Sequence, residues 1–420
     1  VRFVYSIALL FILPLAVLRL FLLGFKNPDY RKNWYERLGF INPLSSKPII
    51  WLHAVSVGET NAAAPLLNRL LHAYPDYQLL VTTVTPTGRQ ILKMHFDNDI
   101  DHLYFPYDIP WVVNRFLQKL KPAVVILMET EIWPNLCYQC NKENIPVLLI
   151  NARLSKRSFK RYQLLKGFIK KTLNNISMIA AQTQNDANHF IKLGVNRTFI
   201  QITGNMKFET VIPSSVIENA EVVKRYFNMS RPVWIAASTQ EGEEELILEA
   251  HKKIVSYFPN AVLILAARHP ERNIEIQKTC KANGFNIVKW SEQKVFSDSD
   301  QVYLLDTLGK LQTYYAASQV AYVGGSLVDR GGQNMLEPAK LGLPILAGPS
   351  RYNFKKISEM LENTGALITV NSADDIVREL KTLFTDANLR HDLGEAARQM
   401  VINNQGQVDT TMKLIQDFIK

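Results

Sequence analysis

The sequence predicts an α/β protein made of two parallel-sheet units in series, led by an apolar N-terminal helix. Three observations carry that prediction. Beyond residue 47, short apolar runs alternate with segments of helical apolar spacing, the pattern of parallel strands joined by crossover helices. The alternation lapses once, from Phe208 to Arg231, and then restarts with a second set of similar size. Ahead of both, Phe3 to Leu18 is apolar apart from Ser6.

Taken in order, the N-terminal run carries Pro14, is interrupted by Arg19 and resumes from Leu20 to Phe25. A bilayer span takes about 20 apolar residues, and an arginine near the end of a run can reach an interface with its charged tip. Only Arg2 precedes the run and no small-x-small cleavage site follows, which counts against a cleaved signal peptide. Lys26, Arg31, Lys32 and Arg37 come next, placing the following domain on the cytoplasmic side. Residues 1–25 therefore read as a membrane anchor, spanning or deeply interfacial, with a buried first helix as the alternative.

The first set of expected strands is Ile49–His53, Leu79–Val84, Leu103–Tyr107, Ala123–Met128, Val147–Ile150, Met178–Gln182 and Phe199–Thr203. Trp111–Leu120 and Phe159–Leu173 are helical segments among them. The second set is Val233–Ala237, Val262–Ala266, Asn286–Val288, Val302–Leu305, Val320–Val323 and Pro344–Leu346, with three helical stretches after Asp374. The organisation that follows is a domain at 26–210, a linker at 211–231 containing Pro213-Ser214-Ser215, and a domain at 232–420. Both domains read as Rossmann-like, and a cleft between two such domains suits a nucleotide-bearing donor and its acceptor. No G-x-G-x-x-G follows the first strand and no G-x-x-x-x-G-K-[ST] occurs, which removes support for a nicotinamide enzyme or a P-loop ATPase.

Composition narrows the partners. Forty-eight basic against 38 acidic residues give a net charge of +10, which favours anionic partners. With no nucleic-acid module in evidence, nucleic acid is not an expected partner. Three cysteines do not make a disulfide framework. Cys137 and Cys140 form one C-x-x-C inside a helical stretch, which reads as packing.

Five loops end strands where ligands bind in parallel sheets, at the carboxyl edge. His53 to Thr60 breaks at Gly58 and delivers Glu59 to a helix start, as a base beside a substrate or as an acidic complement to the helix dipole. Glu129-Thr130-Glu131-Ile132-Trp133-Pro134 offers two carboxylates for acid/base work, charge stabilisation or a metal, or a helix start with Pro134 in its first turn. Thr203 to Phe208 presents Lys207, suited to a phosphate or carboxylate, or simply a surface lysine. Ala266 to Arg272 places Arg268 and His269 before Pro270, a phosphate-binding corner at a helix N-terminus. Val323 to Ala339 holds the pairs Gly324-Gly325 and Gly331-Gly332, which let the backbone approach a ligand, and then Asn334 and Glu337 at a helix start.

Together, Ser-Val-Gly-Glu, Glu-Thr-Glu-Ile-Trp-Pro, Asn151-Ala-Arg-Leu-Ser, Gly-Asn-Met-Lys-Phe, Arg-His-Pro-Glu-Arg and Gly-Gln-Asn-Met-Leu-Glu-Pro-Ala make the chain resemble the 3-deoxy-D-manno-octulosonic acid (Kdo) transferases. The motifs occur in family order and span nearly the whole chain, anchor included. The resemblance implies a GT-B fold and an inverting transfer of Kdo from CMP-Kdo to the tetraacyl disaccharide bisphosphate precursor of lipid A, at the bacterial inner membrane. It implies an acceptor-binding first domain and a CMP-sugar-binding second domain. Glu59 matches the general base, and Glu129 and Lys207 match positions that stabilise the transition state. Arg268 and His269, the stretch Leu308, Gly309 and Lys310, and the stretch Asn334, Met335, Leu336 and Glu337 match the CMP-binding segments.

Near a helix N-terminus Glu59 is expected to stay ionised. The single charge of the leaving CMP suits Arg268, Lys207 and a helix dipole, so no cofactor and no catalytic metal are expected. The D-x-D strings Asp97-Asn98-Asp99, Asp99-Ile100-Asp101 and Asp298-Ser299-Asp300 lie in polar loops. The rivals are another GT-B enzyme, using a UDP- or GDP-sugar or epimerising one, and a non-catalytic membrane-surface scaffold. Between Asn144 and Asn185 there is no acidic residue, while Arg153, Lys156, Arg157, Lys160, Arg161, Lys166, Lys170 and Lys171 cluster. With Phe159, Tyr162, Leu165 and Ile169 at helical spacing, this segment reads as a surface for anionic headgroups or the acceptor's phosphates, or as an ordinary amphipathic helix with a basic face.

Overall fold

The computed structural model describes residues 1–44, 47–97, 99–209 and 211–419, with the backbone alone at Lys26. Thr210 and Lys420, which end the two expected domains, and Asn98 of the first D-x-D string lie outside the described residues. The chain divides into two compact units, Val1–Thr210 with Gln405–Lys420, and Val211–Asn404.

The first unit holds strands β1 (Ile49–His53), β2 (Gln78–Thr83), β3 (Asp101–Tyr104), β4 (Pro122–Met128), β5 (Val147–Ala152), β6 (Met178–Ala181) and β7 (Ile200–Ile202). They form one sheet in the order β3-β2-β1-β4-β5-β6-β7, and every pairing is parallel. Every residue of β1 is buried, as a strand covered on both faces requires. Because side chains alternate, Ile49 and Trp51 join one core cluster and Ile50 and Leu52 the other. The strand order reverses between β1 and β4, so the crevice of this unit opens at their carboxyl ends.

The second unit holds β8 (Val233–Thr239), β9 (Val262–Ala267), β10 (Ile287–Lys289), β11 (Val302–Leu304), β12 (Val320–Val323), β13 (Ile345–Ala347) and β14 (Leu367–Thr369). Their order is β10-β11-β9-β8-β12-β13-β14, again parallel. The reversal here falls between β8 and β12. Strand β14 is the one the apolar pattern did not predict; it is three residues long and two of them are only half-buried.

Three expectations need correction. The final helix, Gln407–Gln416, is expected in the second domain at 232–420; instead Val408, Met412, Leu414 and Ile415 pack into the first unit's core. The expected linker 211–231 contains the helix Ser214–Tyr226, and Phe227 at its end is 1% exposed in the second unit's core. It looked polar because only Ala220 of that helix is buried. The expected helix Phe159–Leu173 is two, Lys156–Leu164 and Lys166–Leu173, broken at Leu165. Phe159 and Ile169 are buried, but Leu165 is exposed.

The N-terminal helix runs Arg2–Lys26 and is long and apolar enough to cross a membrane. It is not a buried first helix, since Phe3 and Phe11 are 76% and 78% exposed. Its first turns dock on the unit through Ser6 Oγ, which donates to Asn135 Oδ1 (3.2 Å), and Tyr5 OH, which donates to Asp108 Oδ2 (3.0 Å). Cys137 and Cys140 are buried free thiols within the core, on the helix Pro134–Lys142.

Candidate active site

At the switch point of the first unit, β1 hands over to the helix Val57–Ala73, capped by Ser56, whose Oγ accepts from the Glu59 N–H at 3.4 Å. Ser56 and Glu59 stand in the S-x-x-E spacing of a capping box. The Glu59 carboxylate reaches back to accept from the Val55 N–H (2.9 Å) and Ser56 Oγ (3.3 Å). The side chain is therefore partly a helix cap, as the plainer reading of this loop proposed. It is also 9% exposed. Burial, then the negative charges of Glu129 and Glu131, push its carboxyl up to about 7, against the lowering effect of the Val55 N–H. The expectation of a simply ionised Glu59 is corrected: near neutral pH it is poised between its two forms, because desolvation outweighs the helix terminus.

Glu129 follows β4 directly and sits at φ 56°, a left-handed conformation rare for side-chain-bearing residues and concentrated at functional sites. Its Oε1 pairs with Lys207 Nζ at 2.8 Å, both side chains about three-quarters buried. Lys207 comes from a turn, Met206–Glu209, after the far edge strand β7. Asn151, at the end of β5, brings it in: its Oδ1 accepts from the Met206 N–H (3.1 Å), and Asn205 Oδ1 accepts from the Lys207 N–H (3.0 Å). Met206 itself is buried in the core. Glu59, Glu129 and Lys207, far apart in sequence, thus belong to one carboxyl edge.

Glu131, the second carboxylate expected of this loop, is joined here by a group not singled out from the sequence, His53. Burial and the neighbouring Glu129 push the Glu131 carboxyl up to about 7. Its Oε2 lies 3.9 Å from Nε2 of His53, a fully buried ring whose Nδ1 faces the Thr82 carbonyl at 3.0 Å. Desolvation takes this imidazole down to about 3, so it is neutral and leaves the charge at the crevice to the carboxylates. A histidine ending an otherwise apolar strand was the available signal.

In the second unit the residues expected to hold a nucleotide lie on the carboxyl edge of the sheet. Arg268 and His269 follow β9 and are exposed; the Arg268 N–H donates to the Thr239 carbonyl at 3.0 Å. Leu308, Gly309 and Lys310 follow β11, all exposed. Asn334 Nδ2 donates to Glu337 Oε1 (3.1 Å), and Asn334 Oδ1 accepts from the Leu336 N–H (3.2 Å), fixing the start of the short helix Leu336–Lys340. Desolvation raises the Glu337 carboxyl above its ordinary range. Met335 and Leu336 are 0% and 2% exposed, so their side chains serve the core.

The glycine pairs behave differently from the expectation. The Gly324 N–H donates to Ala237 O (2.8 Å) and the Gly332 N–H to Gly325 O (2.7 Å). The Gly325 N–H goes to Glu243 Oε2 (2.6 Å) and the Gly331 N–H to Ser350 Oγ (3.2 Å). All four amides are held by the protein. At Gly324 the glycine is needed for packing, because a Cβ there would lie 2.5 Å from Ser238 O. A pocket of about 660 Å³ opens beside this loop, lined by Leu327, Asp329, Ser350, Arg351, Tyr352 and Lys355 among others. None of the residues expected to bind nucleotide lines it. Among the D-x-D strings, Asp300 Oδ2 is engaged by Ser297 N and Oγ, both at 2.7 Å.

The class comes first. Residues 245–400 match the model of group 1 glycosyl transferases, and two successive parallel seven-stranded sheets make the fold GT-B-like. The UDP-GlcNAc 2-epimerase of Neisseria meningitidis, solved with UDP-GlcNAc, shares that fold at TM-score 0.61 and 14% identity, over 88% of this chain and all of that one. So does a glycosyltransferase of Rickettsia africae, at TM-score 0.58 and 14% identity over 90% and 100%.

The first unit is more specific: residues 32–210 match the model of 3-deoxy-D-manno-octulosonic-acid transferase (kdotransferase). The 3-deoxy-D-manno-octulosonic acid transferase of Haemophilus influenzae is 36% identical over 100% of this chain and 99% of its own. That of Bordetella pertussis is 30% identical over 92% and 91%. The chain belongs to the Kdo transferase family.

Proposed function

We propose that this Kdo transferase moves Kdo from CMP-Kdo to the lipid A precursor in lipopolysaccharide inner-core synthesis, with inversion and with Glu59 as the base. The observation that carries the reading is the buried Glu59 carboxyl at the β1–β4 switch point, raised to about 7 beside the Glu129–Lys207 pair. A hydroxyl is a poor nucleophile near neutral pH, and a carboxylate placed as its base contributes about 10²–10⁴-fold. In the step, the acceptor oxygen bonds to the anomeric carbon of Kdo as its proton passes to Glu59. The bond from that carbon to the CMP oxygen breaks, and CMP leaves with the electron pair. Lys207, held by Glu129, supplies positive charge where negative charge develops.

CMP is held by Arg268 and His269, by Leu308, Gly309 and Lys310, and by Asn334 to Glu337. Of these, Met335 and Leu336 are buried and hold the segment in place from the core. Arg268 and Lys310 are exposed cations on one sheet edge, enough to offset one phosphodiester charge without a metal. The apolar N-terminal helix and the basic helices at 156–173 hold the enzyme on an anionic membrane surface, with its catalytic units on the cytoplasmic face.

The test is mass spectrometry of the product made from CMP-Kdo and the lipid A precursor, in chelator-treated buffer, with the anomeric configuration read by NMR. A Kdo-bearing product of inverted configuration, absent with Glu59→Ala, is expected. Full activity of Glu59→Ala removes the base assignment, and loss of transfer on chelation removes the metal-free reading. Vesicle flotation tests the membrane arm: reversing Lys160, Arg161 and Lys166 should weaken binding to anionic vesicles, and unchanged binding removes that role.

A further inference from the structure

Just after β8, the start of the helix Glu244–Tyr257 carries two adjacent carboxylates, Glu243 and Glu244, which are 0% and 1% exposed. Glu243 accepts five hydrogen bonds. Its Oε1 takes Tyr322 OH (2.6 Å), Ser326 N–H (3.0 Å) and Leu327 N–H (3.0 Å). Its Oε2 takes Gln240 N–H (2.9 Å) and Gly325 N–H (2.6 Å). Capping a helix uses one or two donors near the carboxylate in sequence. Here four of the five donors come from β12 and the loop after it, some 80 residues away, and no cation pairs with Glu243 among the described residues. A buried charge without a counterion persists only where donors replace its water.

Three successive N–H groups converging on one carboxylate make an anion-binding nest, the device that glycine-rich loops use for phosphate. In this chain the anion is built in. Glu244 does the equivalent for the next loop: Arg272 Nη1 and Nη2 reach its two oxygens at 2.8 and 3.2 Å, a bidentate pair. Arg272 lies four residues beyond Arg268, whose own N–H is fixed on Thr239.

We infer that Glu243 and Glu244 are positioning residues that together fix two loops of the second unit's carboxyl edge, at Gly325–Leu327 and Arg268–Arg272, in the shape that receives the donor. The inference rests on the reading of this edge as the CMP site. It gives the reason that the donor phosphate falls to side chains such as Arg268 and Lys310: the nest that would otherwise take it is occupied by Glu243.

The experiment uses the full chain with CMP as the calorimetric probe, together with donor and acceptor kinetics and hydrogen exchange. Glu243→Gln keeps the volume but puts an amide NH₂ among donors. It should weaken CMP binding and raise the donor KM about tenfold or more, with kcat and acceptor KM within about twofold of wild type. Exchange at Gly325–Leu327 should quicken. Glu244→Gln should do the same for exchange at Arg268–Arg272. A folded Glu243→Gln protein with wild-type CMP affinity and unchanged exchange overturns the inference, as does a fall in kcat with donor KM unmoved.

If Glu243→Gln does not fold, Tyr322→Phe removes one donor. It should weaken CMP about threefold, and wild-type affinity there overturns the inference too. Wild-type protein that ignores CMP refutes the nucleotide reading instead, and exchange at the two loops then decides the positioning role by itself.

Discussion

Burial and two nearby carboxylates raise the proton affinity of Glu59, the Val55 N–H and the Ser56 hydroxyl lower it, and burial with the carboxylates wins. The working form of a base is the ionised one, so the rate should rise with pH through about 7, read from kcat/KM against pH. Glu129→Gln removes a negative neighbour and should move that limb to lower pH. Lys207→Ala frees the Glu129 charge and should move it to higher pH, while cutting transfer about 10²-fold.

Stability carries the opposite sign. A carboxyl whose folded pKa lies above its unfolded value makes its full contribution below the unfolded value, and loses it as pH rises through the folded value. Glu59→Gln should therefore stabilise the fold at pH 8, by as much as about 3 kcal/mol and read as a higher melting temperature, and change it little at pH 4. An equal shift at both pH values would show that ionisation of Glu59 costs the fold nothing. At this scale Glu59, Glu129 and Lys207 were legible because each ends or follows an apolar strand. Glu243 was not, since four of its five donors come from β12 and the loop after it, which local sequence does not pair with it.

Among the elements, the last helix changes the most when the tertiary structure is known. Its stripe of Val408, Met412, Leu414 and Ile415 reads as amphipathic in any context; only packing shows that the first unit takes it. Each such side chain fully buried is worth about 1.5–3 kcal/mol. A chain stopped after Asn404 should lose the first unit's calorimetric transition and keep the second's. Loss of both would mean the units do not melt separately. The basic segment shows the reverse: its charges were plain, but the break at Leu165 was not, because leucine is a good helix former and the nearby Gly167 lies inside the second helix. The break leaves Leu164 84% exposed between exposed Lys160, Arg161 and Lys166, the mixture of apolar and basic groups that a lipid surface accepts.

For the whole molecule, ligand linkage separates the two units. A ligand at 100 times its Kd adds about 2.7 kcal/mol to the state that binds it. CMP should raise the second unit's transition and leave the first unit's in place, with UMP and GMP less effective. A shift of the first transition instead would move the nucleotide to the other unit. The alternation of strands and helices predicted thirteen of the strands, most plainly those in the middle of each sheet, because a strand buried on both faces must be apolar throughout. It missed β14, short and half-covered at an edge.

The sequence by itself determined the two parallel sheets, the apolar first helix, the carboxyl-edge loops and the motifs of the family, since each is a local pattern of apolarity, glycine or charge. Only the tertiary structure decided that a far-edge lysine meets Glu129, that a C-terminal helix returns to the first unit, and that Glu243 fills the glycine loop from within. Those are contacts between segments distant in the chain. Their energy comes from burial and from hydrogen bonds made out of water, and neither exists until the chain has folded around them.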